Sequence, residues 1–240
     1  MADLDALDAA ERVSFVGNAK AVAPLSGSLT LALTGAVAAL RGRKVTLPNL
    51  QLHAGEALAL TGPSGAGKST AIAAIAGLVP LAEGRITVCG VALDGSTADA
   101  WRARIALIPQ VPHFPDQTLR DWLAPAGPSA DPCADPWPAL QLAEADGVVQ
   151  RLPSGLDTRL GESGGGVSGG EARRLMIARA ILSGRELILA DEPTADLDPE
   201  TAAQVIRALV RLKDNGHSLI VATHDSSLAE AMDRSIEMPT

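Results

Sequence analysis

Residues 62 to 70 read Gly62-Pro63-Ser64-Gly65-Ala66-Gly67-Lys68-Ser69-Thr70, and no other stretch constrains the fold as much. The run fits the phosphate-cradle pattern G-x-x-x-x-G-K-[ST] throughout. Before it, Ala57-Leu58-Ala59-Leu60 is an apolar run suited to a buried parallel strand. After it, Lys68 to Ala76 holds good helix formers. The loop therefore joins a strand to a helix, the context this cradle needs. Its glycines let successive backbone N–H groups turn inward on an anion. The helix N-terminus adds the positive end of its dipole. Lys68 then reaches the β- and γ-phosphates of a nucleotide, and the Ser69 hydroxyl is a ligand for Mg²⁺.

The remaining pattern alternates strands with helices. Strands are expected at 29 to 34, 44 to 47, 85 to 88 and 105 to 108, and again at Leu187–Ala190 and Leu219–Thr223. Ser168 and Glu171 form an S-x-x-E capping box opening a helix to about Leu182. Asp198-Pro199 reads as an N-cap with proline at the first helical position, opening a helix to Asp214. This alternation implies an α/β fold with a parallel sheet. Ligand groups should gather where its strands end, at the cradle, Gln110, Asp191, Glu192 and His224. From Val111 to Leu152 prolines cluster at 112, 115, 125, 128, 132, 136 and 138. That stretch reads as an inserted helical lobe with long loops.

Composition excludes several classes. A net charge of -8 argues against nucleic acid as the main partner. Cys89 and Cys133 have no metal-ligand spacing and read as free thiols of a reducing compartment. Asp3, Asp5, Asp8 and Glu11 are incompatible with a signal peptide. Residues 1–27 read as a linker. Ala21 to Leu40 is free of charge over a membrane-spanning length, but Pro24, Ser26, Gly27, Ser28 and Gly35 interrupt it. Leu29, Leu31 and Leu33 alternate at strand period, so a strand is expected there and no membrane span in this chain.

Taken in order, the cradle, Gln110, Ser168-Gly169-Gly170-Glu171, the strand ending in Asp191-Glu192, Ala195-Asp196-Leu197-Asp198 and His224 resemble the ATP-binding-cassette (ABC) ATPases over about residues 28 to 236. The resemblance implies a P-loop NTPase (RecA-like) core with a parallel sheet. An N-terminal antiparallel β subdomain and an α-helical subdomain inserted at about 111–180 complete an ATPase domain over 28–240. It implies ATP and Mg²⁺ as ligands. Gly62, Pro63, Ser64, Gly65, Ala66, Gly67, Lys68, Ser69 and Thr70 would hold the phosphates, with Ser69, Gln110 and Asp191 around the metal. Glu192 would be the general base, His224 the switch histidine, and Gln110 the residue sensing Mg²⁺ or water. Lys68 and Gln110 join them as catalytic residues. Ser168, Gly169 and Gly170 would face ATP held by a second ATPase domain, head to tail, with Asp196 and Asp198 in the loop linking the two sites. Arg173 and Arg174 read as solvated helix-face charges.

Subfamily features point to the exporters. Thr158 to Gly164 resembles their X-loop, and Thr118 to Asp121 the stretch after Gln110. Gly155 to Glu162 and the Trp101-Arg102 turn look most like the thiol (cysteine/glutathione) exporter of cytochrome bd assembly. The resemblance implies a transmembrane domain outside this chain and a place at the cytoplasmic face of the inner membrane. A soluble ABC ATPase acting on DNA or ribosomes and a catalytically dead clamp are the alternatives. Two departures stand out: Leu40 occupies the place of an adenine-stacking aromatic, in a chain with no Tyr, and Glu171 replaces the commoner Gln.

Overall fold

A computed structural model describes residues 25–40, 42–124, 135–161 and 166–239. Most of the linker expected over 1–27 lies outside the described residues, as do Arg41, Cys133 and positions 162 to 164.

Two sheets form the body. The first is antiparallel and is built on the long strand β1 (Thr30–Leu40). It pairs with β2 (Arg43–Thr46), β3 (Leu50–His53) and β5 (Leu81–Val88), and β5 pairs in turn with β6 (Val91–Ala92). The second sheet is parallel, in the order β10-β4-β9-β8-β7. Its strands are β4 (Ala57–Thr61), β7 (Ile105–Ile108), β8 (Leu187–Asp191), β9 (Ser218–Ala222) and β10 (Arg234–Glu237). The antiparallel subdomain and parallel core are therefore both present.

The apolar runs explain the layering. Successive side chains of a strand point to opposite faces. On β4, Ala57 and Ala59 enter one core and Leu58 and Leu60 the other. On β8, Ile188 and Ala190 divide from Leu187 and Leu189 in the same way. The parallel sheet is thus buried on both faces, which is why its strands read as continuous apolar runs rather than alternating ones. One face packs on the antiparallel sheet and α1 (Lys68–Ile75). The other packs on α6 (Gly169–Leu182), α7 (Pro199–Asp214) and the helical lobe.

The lobe holds short helices: α3 (Leu119–Leu123), α4 (Trp137–Leu142) and α5 (Asp146–Arg151). Leu123, Leu140, Val149 and Leu175 of α6 form its buried centre. Trp101, on α2 (Ala98–Arg102), is fully buried and donates its indole N–H to the Ile75 carbonyl at 2.6 Å. Arg102 donates to the Gly77 carbonyl at 2.9 Å. The Trp101-Arg102 turn thus braces the C-terminal end of α1. Asp225, after β9, caps α8 (Ser226–Glu230) and completes the body. Among the described residues no helix is long and apolar enough to cross a membrane.

Candidate active site

Strands β4, β9, β8 and β7 are consecutive neighbours, and each delivers one part of the predicted site from its C-terminal end. The cradle follows β4, His224 follows β9, Asp191 ends β8 with Glu192 next, and Gln110 lies two residues past β7. Lys68 Nζ donates to the Gly62 and Pro63 carbonyls at 2.8 and 3.1 Å and pairs with Glu192 Oε1 at 3.0 Å. His224 Nδ1 lies 2.8 Å from Glu192 Oε2, and the His224 backbone N–H donates to the same oxygen at 3.3 Å. Glu192 is therefore held from both sides. Its φ of 45° is left-handed, a conformation that costs a non-glycine residue about 1–3 kcal/mol. Its backbone N–H holds this turn in place by donating to the Ala222 carbonyl of β9 at 2.9 Å.

Ser69 Oγ donates to Asp191 Oδ1 at 3.0 Å, so a hydroxyl and a carboxylate converge beside the cradle. This is the hard-oxygen donor set that Mg²⁺ takes, and the residues fit that ion. Burial holds the Asp191 carboxyl above its ordinary range; the Ser69 hydrogen bond opposes the shift and the Glu192 charge adds to it. The cradle itself is pressed under the β1–β2 hairpin. Gly67 has φ 98°, and a Cβ there would lie 2.3 Å from Val45 Cγ1. Only glycine fits, and the contact brings the hairpin tip, with Leu40 paired to Arg43, beside the cradle. Leu40 is half-buried there.

Ser168, Gly169 and Gly170 stand apart from this cluster, at the N-terminus of α6. Ser168 accepts from the Glu171 N–H and Glu171 accepts from the Ser168 N–H, so the capping box is formed with glutamate in place of glutamine. Burial raises the Glu171 pKa, but the Ser168 N–H and the Arg151 ion pair outweigh it and hold the carboxyl below its usual range. Ser168 and Gly169 are exposed. Gly170 is buried, and a Cβ on it would meet Thr201 Cγ2 at 1.9 Å. Close packing of α6 on α7 therefore requires this glycine, whatever else it does. Asp198 caps α7 by accepting from the Thr201 N–H at 3.0 Å. Gln110 follows β7, the neighbour of β8, and its backbone carbonyl accepts from Arg173 at 3.3 Å.

Two expectations are overturned. Arg173 and Arg174 are not solvated: each is 6% exposed. Arg173 reaches the Ala195 and Gln110 carbonyls, and Arg174 the Glu144 carbonyl at 2.9 Å and the Gln204 side chain. A long cationic side chain at the start of a helix gives no sequence sign of burial when its partners are backbone carbonyls. The two exporter-like stretches do meet. Leu119 N–H donates to the Thr158 carbonyl at 2.9 Å, Thr118 bridges Arg159, and Arg120 pairs with Asp157 at 2.9 Å.

A family model described as ABC transporter matches residues 46–195, more than half of the chain. The chain belongs to that family: it is an ATP-binding domain of the α/β P-loop NTPase type and an enzyme that hydrolyses ATP. An uncharacterized ABC transporter ATP-binding protein of Bacillus subtilis, YwjA, is 36% identical over 183 residues, covering 76% of this chain and 32% of the relative. The mycobactin import ATP-binding/permease protein IrtB of Mycolicibacterium thermoresistibile is 39% identical, covering 75% of this chain and 31% of its own length. The ATP-dependent lipid A-core flippase of Desulfotalea psychrophila is 36% identical, over 76% of this chain and 32% of that protein. The chain thus spans about a third of the length of these relatives. The solved structure of a bacterial Atm1-family ABC exporter with ATP bound superposes with a TM-score of 0.80 at 27% identity, covering 98% of this chain and 41% of that one. The superposed structure is that of an exporter and one relative is a flippase, whereas IrtB is named for import; these are transporter proteins and do not favour a soluble ATPase.

Proposed function

We propose that this chain is the motor domain of an ABC exporter, converting ATP hydrolysis into movement of a cargo across the membrane. The convergence of Lys68, Ser69, Asp191, Glu192 and His224 within single hydrogen-bond steps supports this reading. In this reading the backbone of Gly62 to Thr70 wraps the ATP phosphates and Lys68 neutralises the β- and γ-oxygens. Ser69 and Asp191 would hold Mg²⁺, and Gln110 would be the third residue of that site. Mg²⁺, when bound, offsets the charge on the phosphates and draws density from the γ-phosphorus. Glu192 takes the proton of the attacking water. His224 keeps Glu192 oriented and contacts the γ-phosphate.

Ser168, Gly169 and Gly170 lie outside this cluster within one chain. They serve the ATP of a second ATPase domain, arranged head to tail, and the N-terminus of α6 provides the anion site. Asp196 and Asp198 join the two sites. A transmembrane domain outside residues 1–240, reached through the linker at 1–27, would place the ATPase domain of 28–240 at the cytoplasmic face of the inner membrane. The meeting of Thr118–Arg120 with Asp157–Arg159 supports the exporter type. Within that type, the resemblance of Gly155 to Glu162 and Trp101-Arg102 to the thiol exporter points to small thiols as cargo. The test is specific ATPase activity against protein concentration. A rise to a plateau as dimer forms is expected; activity independent of concentration in a proven monomer would contradict the shared site.

A further inference from the structure

Arg173 is a cation where none is expected. It is 6% exposed, and among the described residues no carboxylate pairs with it at contact distance. Its Nε finds no hydrogen-bond partner among them. Burial disfavours its charge, and the nearby Asp196 charge compensates in part. A buried, unpaired guanidinium is costly, and an apolar side chain of similar size often serves stability as well or better.

What Arg173 does touch is informative. Its Nη2 donates to the Ala195 carbonyl at 2.8 Å and to the Gln110 carbonyl at 3.3 Å. Its Nη1 lies 3.3 Å from where a Cβ on Gly169 would sit. One planar group on α6 therefore hydrogen-bonds the turn after β7 and the turn after β8 while lying over the first turn of its own helix. Those turns carry Gln110, Asp196 and Ser168-Gly169-Gly170. Asp196 has φ 59°, so the turn after β8 is held in a conformation that needs external support.

We propose that Arg173 is a positioning residue for ATP hydrolysis: it locks the Gln110 turn, the Ala195–Asp196 turn and the N-terminus of α6 into one body, so that the three approach nucleotide in a fixed relation. The fork geometry of arginine suits this task, since one flat group spans carbonyls on separate elements. The inference rests on the roles given above to Gln110, Asp196 and Ser168–Gly170.

The test compares Arg173→Met and Arg173→Lys with wild type by amide hydrogen exchange and by steady-state ATPase assays at a concentration where activity has reached its plateau. In Arg173→Met, exchange should rise over residues 108–112 and over residues 193–198 together, while the amides of β8 and β9 keep wild-type protection. Turnover should fall about tenfold with KM for ATP within about twofold, because positioning is lost and phosphate binding is not. Arg173→Lys should recover part of both effects. Unchanged exchange in both segments, or a rise in only one, would overturn the proposal. So would a rise spread through β8 and β9, which would mark Arg173 as a general stability element. Exchange reads the link between the turns whatever Gln110 and Asp196 do. If exchange rises as stated but kcat is unmoved, the link stands and the catalytic roles of those turns fail.

Discussion

Lys68 and Glu192 form an ion pair of 3.0 Å between side chains almost withdrawn from water. The cation of the phosphate cradle and the carboxylate read as the base are therefore partners of each other. His224 holds the second oxygen of the same carboxylate. Removing one member of a buried pair usually costs about 3–5 kcal/mol, because the other charge is left uncompensated. Lys68 is protected from that outcome by the Gly62 and Pro63 carbonyls. A neutral side chain at position 192 should thus be tolerated by the fold.

Gly170→Ala tests the packing of α6 on α7. A Cβ at Gly170 would lie 1.9 Å from Thr201 Cγ2, well inside contact distance. Overpacking of this kind costs about 1–3 kcal/mol. Denaturant unfolding should show that loss. Thr201→Ser removes the offending methyl and should restore most of it in the double variant. A stable single variant would mean that the helices separate freely.

Asp191→Asn tests the electrostatics of the Ser69–Asp191 pair that is proposed to hold Mg²⁺. Burial raises the Asp191 pKa in the folded state. Such a carboxyl favours the fold when protonated; that contribution is complete below the unfolded value of about 3.9 and is lost as pH rises through the folded value. At neutral pH the charge is therefore a net cost to stability. Asp191→Asn should melt above wild type at about pH 7, with the gap closing as pH is lowered toward about 4. Each kcal/mol moves Tm by about 2–4 °C in a chain of this size. The same variant should lose Mg²⁺-dependent hydrolysis. A lower melting temperature at neutral pH would show that the carboxylate is compensated.

Leu40→Tyr tests the base platform. Leu40 offers apolar contact at the hairpin tip but no ring to stack on adenine. Wild type should bind ATP and GTP within about tenfold of each other, or about 1.4 kcal/mol. The tyrosine should tighten ATP binding by about 0.5–1.5 kcal/mol, the usual gain of an aromatic pair beyond burial. Calorimetric titration of both proteins with both nucleotides decides it. Strong ATP preference in wild type, with no gain from tyrosine, would place base recognition on other residues.

The fold was legible wherever burial on both faces forces a continuous apolar run, as at Ala57–Leu60, Leu187–Ala190 and Leu219–Thr223. Helix starts were legible because Ser168 and Asp198 signal them through local hydrogen bonds, which the structure forms. Besides the two-residue β6, the strands β3 and β10 escaped. Each is four residues long, and Arg234-Ser235-Ile236-Glu237 is an edge strand with no apolar run to betray it. β1 extends to Leu40, past the expected 34, because register shifts between Thr34, Val37 and Ala38 break its alternation. The residues gathered around Glu192 were all named from sequence, since each belongs to a short motif ending a strand. Arg173 and Arg174 were misread because their partners are distant in sequence: carbonyls at Gln110, Ala195 and Glu144, and the side chain of Gln204. No local pattern encodes contacts between a side chain and a remote backbone.

Single-turnover hydrolysis by Glu192→Gln is the most direct test of ATP hydrolysis at this cluster. With Glu192 as the base, the variant should bind MgATP at least as tightly as wild type and hydrolyse it about 10²–10⁴ times more slowly. An ATP-bound dimer should then persist on gel filtration. Wild-type turnover by Glu192→Gln would contradict the assignment and move the chemistry to another group.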